Sequence, residues 1–111
     1  MRSKYNAKRT TIDGITFASK AEAAAYVNRK MLQANGDISN LRLQPRFKIV
    51  VNDIHICDYI ADFEYDVTAT GAHIVEDVKG VRTPAFILKQ KLMLATHGIN
   101  VLCSGKDEIP F

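Results

Sequence analysis

Two acids and a lysine carry whatever chemistry this chain performs. Asp62 lies in the run Tyr59-Ile60-Ala61-Asp62-Phe63, and Asp77-Val78-Lys79 closes the next strand-like segment. Side chains two apart on a strand share a face, so Lys79, Asp77, Val75 and His73 point one way and Ile74, Glu76 and Val78 the other. The same parity divides 58–66 into an apolar set (Tyr59, Ala61, Phe63, Tyr65) and an acidic set (Asp58, Asp62, Glu64, Asp66, with Ile60 among them). If the two segments pair through the Thr70-Gly71 turn, Asp62 and Asp77 become neighbours with Lys79 one pleat beyond. Two bare carboxylates about 4 Å apart repel by about 4 kcal/mol at an effective dielectric of about 20, a large share of a small domain's stability. A hard divalent cation is therefore expected between them: Mg²⁺, with Mn²⁺ as a substitute, binds one or two carboxylates and keeps positions for water and phosphate. Such an ion lowers the pKa of a bound water and neutralises charge on phosphoryl oxygens, and the Lys79 ammonium can hold the water or stabilise the same charge. This is a constellation for phosphodiester hydrolysis. An acid, one residue and a lysine also describe a surface salt bridge of little consequence, so the surrounding elements must decide.

Those elements are legible. Thr10 to Phe17 alternates around Asp13-Gly14, a dipeptide that favours a tight hairpin turn. Ser19, three residues before Glu22, makes a capping-box start for a helix over 20–34 that closes at Asn35-Gly36. Its Ala24, Val27, Met31 and Ala34 recur at spacings of three and four, which predicts that this stripe packs on a sheet. Three strands are expected next, over 41–51, 54–66 and 73–79, joined by turns at Asn52-Asp53 and Thr70-Gly71. Thr83-Pro84 caps a second helix ending near His97-Gly98, and 99–103 reads as a last short strand. The expected fold is α/β (α+β): an N-terminal hairpin, a helix, a three-stranded antiparallel meander, a helix and a strand in one domain over 10–104. A basic arm (1–9) precedes it and a loose tail (105–111) follows.

This order of elements, with Asp62 followed by Asp77-Val78-Lys79, resembles the PD-(D/E)XK nuclease superfamily and its restriction-endonuclease-like core. The resemblance is closer to a family of small phage-encoded, Holliday-junction-resolvase-like members. It rests on Phe17-Ala18-Ser19-Lys20-Ala21-Glu22-Ala23, Leu43-Gln44-Pro45-Arg46-Phe47, Tyr59-Ile60-Ala61-Asp62-Phe63 and Val75-Glu76-Asp77-Val78-Lys79-Gly80 with Thr83 beyond. It implies a Mg²⁺-dependent deoxyribonuclease acting on branched or recombination DNA, with Asp62 and Asp77 as metal ligands, Lys79 as the motif lysine and Glu22 as a further acid from the first helix. It also implies a homodimer, since cutting both strands takes two sites, or a partner protein that supplies specificity. The departures are Ala61 in place of the superfamily's proline and an aspartate, Asp77, where glutamate is commoner. The alternative is a non-catalytic DNA-binding or phage assembly module that keeps the fold.

The charge of +3 is too small to establish a nucleic-acid partner. Its distribution is more telling, because Arg2, Lys4, Lys8 and Arg9 place four positive charges and no acid in the first nine residues, a candidate phosphate-binding arm. On the second helix Lys89 is a candidate phosphate contact, with snorkelling to solvent as its ordinary role. His73 lies about 13 Å along the strand from Asp77, too far to share a metal. It reads as a surface histidine, while Cys57 and Cys103 read as buried reduced thiols that with His55 and His97 lack zinc-site spacing. No run approaches the length of a membrane helix and the first residues lack a signal peptide's apolar region, so a cytoplasmic protein is expected, in a bacterial host if phage-encoded.

Overall fold

The computed structural model describes residues 9–79 and 81–105. Arg2, Lys4 and Lys8 of the basic arm, and 106–111 of the tail, lie outside them. Strands β1 (Thr10–Ile12) and β2 (Ile15–Phe17) form the expected hairpin, with both Asp13 and Gly14 at positive φ. Helix α1 (Lys20–Ala34) begins at Ser19, whose side chain accepts the Glu22 N–H. It is followed by β3 (Ile38–Leu43), β4 (Arg46–Val51), β5 (Ile54–Ile60), β6 (Phe63–Val67) and β7 (His73–Asp77). Helix α2 (Pro84–His97) has Thr83 as its N-cap and Gly98, left-handed, as its C-cap, and β8 (Leu102–Cys103) ends the described fold.

The principal sheet has the order β3-β6-β7-β8, antiparallel except for the parallel β7–β8 pair, and β4 with β5 makes a separate two-stranded ribbon. The chain is a mixed α and β protein. Two of the long strands expected from the sequence are each divided. The first breaks at Gln44-Pro45, where Gln44 takes φ 50° and Pro45 has no N–H to give a ladder. The second breaks at Ala61-Asp62, so 54–66 is a ribbon strand followed by a sheet strand.

That second break also corrects the apolar face. Tyr59 and Ala61 pack with Ile49, Val75, Phe86, Met93, Val101 and Cys103 in the core under α2, whereas Phe63, Tyr65 and Val67 pack with Phe17, Ala23, Tyr26 and Ile38 under α1. The two clusters occupy opposite faces of the sheet, since neighbouring residues on β7 divide between them, Val75 toward α2 and Ile74 toward α1. Ala61 and Phe63, two apart, therefore face opposite ways, which unbroken alternation does not allow.

Helix α1 is also rotated from expectation. Ala23, Tyr26 and Arg29 are its buried residues, while Val27 is 40% and Met31 60% exposed. The cause is polar. Arg29 donates from Nε to Glu76 Oε1 at 2.5 Å and from Nη2 to Oε2 at 2.9 Å, and Tyr26 donates to Asp13 while its ring packs on Phe17. A buried two-bond ion pair tolerates no other rotation of the helix, and periodicity of apolar residues does not register it.

Candidate active site

Three of the four carboxylates of the acidic set meet a cation or its equivalent. Asp58 is paired with Arg46 at 3.0 Å and His55 at 2.8 Å. Glu64 and Asp66 hold the two ring nitrogens of His73 at 2.8 and 2.7 Å, and Asn40 donates to Asp66 as well. His73 is thus a clamp between β6 and β7, with its pKa raised first of all by Asp66. Asp62 is different. Its Oδ2 accepts the Val78 N–H at 2.8 Å, and its side chain meets two further acids, Asp77 and Glu22.

The pair of Asp62 and Asp77 arises from register. Phe63 lies opposite Glu76 on the β6–β7 ladder, and the Asp62 N–H donates to the Glu76 carbonyl at 3.1 Å, so the next positions outward bring the two acids together. Burial pushes Asp62 up to about 6, the negative charge of Glu22 adding to it against the Val78 N–H. Burial likewise pushes Asp77 up to about 6, with the charge of Asp62 adding to it; the Tyr59 hydroxyl, which donates to Asp77 Oδ2, and Lys79 oppose the shift. Two carboxyls in one largely buried place cannot both ionise cheaply, so a cation or a shared proton would stabilise the pair.

The remaining parts surround this pair. Asp77, Lys79, Tyr59, Phe86 and Lys89 line a cavity of about 300 Å³ with Asp58 and Thr83 at its walls. The Lys79 ammonium lies over the Phe86 ring, 5.3 Å from its centroid, an attraction that steers it into the cavity. Lys89 is half-buried here rather than at the solvent side of α2. Glu22 is half-buried at the helix start, in a neighbouring cavity with Arg9 and Gln44. Among the described residues no three His, Cys, Asp or Glu side chains form a group that could hold a metal ion; the Glu22 side chain reaches this place through Asp62. The donor set that does fit a cation is Asp62 with Asp77, all oxygen, as Mg²⁺ prefers.

A model of one protein family matches residues 2–101. The chain belongs to that family, described as protein of unknown function (DUF1064). The matched span takes in the whole site, from Arg9 to Lys89. No curated protein matches the chain, and no solved structure does. Among the described residues no helix is long and apolar enough to cross a membrane.

Sequence reasoning missed Tyr59, Phe86 and Gly105. A buried tyrosine needs a partner for its hydroxyl, and that was the available signal for Tyr59. Gly105 sits where β8 ends: Ser104 N–H donates to the Asp77 carbonyl at 2.9 Å, and a Cβ on Gly105 would stand 1.9 Å from the Lys79 carbonyl oxygen. Residue 105 is thus packed against the motif lysine rather than loosely held. Because the obstacle is backbone, Gly105→Ala must displace the segment that carries Lys79. We expect it to lower any activity of this site by about 100-fold, the usual cost of a 1 Å misplacement, measured as initial rate; activity equal to the parent's would show that this contact positions nothing.

The acid pair also sets a pH dependence. Both folded-state pKa values lie above the unfolded ones, so the stability tied to protonation is present at low pH and is lost as pH rises through about 6. His73 acts in the same direction, because its raised pKa also removes stability as pH rises. Thermal melts of the parent and Asp77→Asn at about pH 5 and about pH 8 separate the two. The parent should lose more stability than the variant over this interval in EDTA, and Mg²⁺ should restore the difference at the higher pH. Equal slopes for the two proteins would contradict the coupling of Asp62 to Asp77.

Proposed function

We propose that this protein is a Mg²⁺-dependent DNA endonuclease, phage-encoded and acting on branched or recombination DNA in the cytoplasm of a bacterial host. The observation that carries it is the convergence of Asp62 on Asp77, both with raised pKa, where Asp77 lines a cavity together with Lys79. A helix on each face of one sheet, with Asp77 at the end of one central strand, Asp62 just before the other and a parallel final strand, is the arrangement expected of a PD-(D/E)XK core, and it supports this reading. So does the spread of the quoted motifs across the chain.

In this reading Asp62 and Asp77 hold the cation, which supplies Lewis acidity, lowering the pKa of a nearby water and neutralising charge on the phosphoryl oxygens. The protein's own groups do the rest. The Val78 N–H and the Tyr59 hydroxyl each engage one oxygen of an acid and so fix how the carboxylates are turned. Lys79, held over Phe86, presents its ammonium to the attacking water or to the phosphoryl oxygens, where preorganised charge acts most strongly. Lys89, which lines the same cavity, offers a second cation to a phosphate oxygen there. Mn²⁺ is expected to replace Mg²⁺, because both accept an all-oxygen site. Symmetric cleavage of two strands calls for two copies of the chain or for a partner protein, and sedimentation of the pure protein with and without DNA distinguishes these.

The test is incubation of the pure protein with duplex, nicked, flapped and four-way DNA, with Mg²⁺ and with EDTA. Metal-stimulated cleavage of one of these supports the proposal. DNA binding that survives both EDTA and Asp62→Ala, without cleavage of any substrate, would instead identify a non-catalytic DNA-binding or assembly module.

A further inference from the structure

Resting on that reading, we infer that a second cavity, lined by Arg9, Thr16 and Gln44 beside Glu22, binds the sugar–phosphate backbone of the substrate strand next to the phosphate being cut. The cavity measures about 320 Å³, and its walls come from the β1–β2 hairpin, the start of α1 and the β3–β4 connection. It shares no lining residue with the cavity of Lys79 and Lys89. Asp62 connects their linings: its side chain meets Glu22 of the second cavity and Asp77 of the first, and its carbonyl accepts the Gln44 N–H at 3.0 Å.

The connection Gln44-Pro45-Arg46 spans the interval between the two. Gln44 lines the second cavity, the Pro45 carbonyl accepts the Ala61 N–H at 3.1 Å, and Arg46 pairs with Asp58 at the wall of the first. Each cavity therefore presents donors beside an acid, Lys79 and Lys89 with Asp77 in one, Arg9, Thr16 and Gln44 with Glu22 in the other. Alternating positive and negative places along one surface are what a polyanionic strand with one phosphate at a cation requires. Arg9 suits a phosphate because its planar fork matches two oxygens, while Gln44 and Thr16 offer donors without further charge.

The experiment uses the full chain carrying Asp77→Asn, so that substrate is bound without being cut, and a fluorescent single-stranded oligonucleotide whose anisotropy is read across a salt series. Arg9→Ala should weaken binding about tenfold and lower the slope of log affinity against log salt by about 0.7, the loss of one phosphate contact on a single strand. Gln44→Gly, which suits the positive φ at that position, should weaken binding several-fold and leave the slope unchanged. Lys30→Ala, on the solvent side of α1, should do neither in excess of the general loss of charge. Binding by both cavity variants equal to that of the Asp77→Asn parent would overturn the inference while leaving the proposed function standing. Absence of oligonucleotide binding by that parent would also overturn the inference, and the cleavage assay on duplex, nicked, flapped and four-way DNA separately decides the proposed function.

Discussion

Asp77→Asn and Lys79→Ala are each expected to abolish metal-stimulated DNA cleavage, and Asp77→Asn should do so without loss of thermal stability. The second half of that expectation is the more informative. Asp77 is 4% exposed and shares its place with Asp62, so an amide removes a like charge while keeping the shape that accepts the Tyr59 hydroxyl. A protein that kept this acid for its fold would weaken on the change. A protein that keeps it for a cation should melt at the same temperature or higher, and should lose its response to Mg²⁺. Lys79→Ala removes an ammonium aimed into the cavity, and the loss of such a group costs roughly 10² to 10⁴ in rate. Its melting temperature should move little, because the side chain is half-exposed and its main contact is the Phe86 ring. Gel assays with Mg²⁺ and a thermal melt of each variant decide the matter: residual cleavage near the parent's rate in either variant would remove that residue from the mechanism.

The largest effect on stability belongs to the opposite face of the same strand. Arg29 is 3% exposed and Glu76 is fully buried, and they share two hydrogen bonds between α1 and β7. Removing one partner leaves a charge with no water and no counter-ion. Glu76→Ala and Arg29→Ala are each expected to cost about 3 to 5 kcal/mol, a third or more of what a domain of this size has to lose. Urea unfolding followed by circular dichroism measures it. The double change Arg29→Met with Glu76→Leu should recover most of the loss, since an apolar pair of similar volume needs no desolvation of charge. A single variant as stable as the parent would show that water reaches this pair. The pair also matters to the site, because it ties the helix bearing Glu22 to the strand bearing Asp77.

How far the sequence could be read depended on whether the signal was local. The hairpin at Asp13-Gly14, the caps at Ser19 and Thr83 and the left-handed Gly98 are each written in two to four adjacent residues, and each stands where those residues place it. The closeness of Asp62 and Asp77 followed from strand parity and a turn, and the structure brings the two together. What escaped depends on contacts distant in sequence. The face of α1 is chosen by Arg29, whose partner lies 47 residues on, and no periodicity within the helix reports it. The breaks at Gln44-Pro45 and Ala61-Asp62 were masked because β-branched and aromatic residues continue across both, although Pro45 was a warning. Glu22 had two readings. Its backbone takes part in the helix cap, and its side chain meets Asp62.

The interruption at Ala61-Asp62 has a consequence for how the chain tolerates change in length. Because the pleat loses its phase at this seam, the ribbon before it is sided toward one helix and the strand after it toward the other. Losing or gaining a single residue here would turn one flank inside out, presenting Phe63 and Tyr65 where acids now stand. The candidate catalytic aspartate is therefore also the joint between the two halves of the domain. Loops such as Thr70-Gly71 can drift in length at small cost, whereas this junction has room for exchange of side chains but none for insertion or deletion.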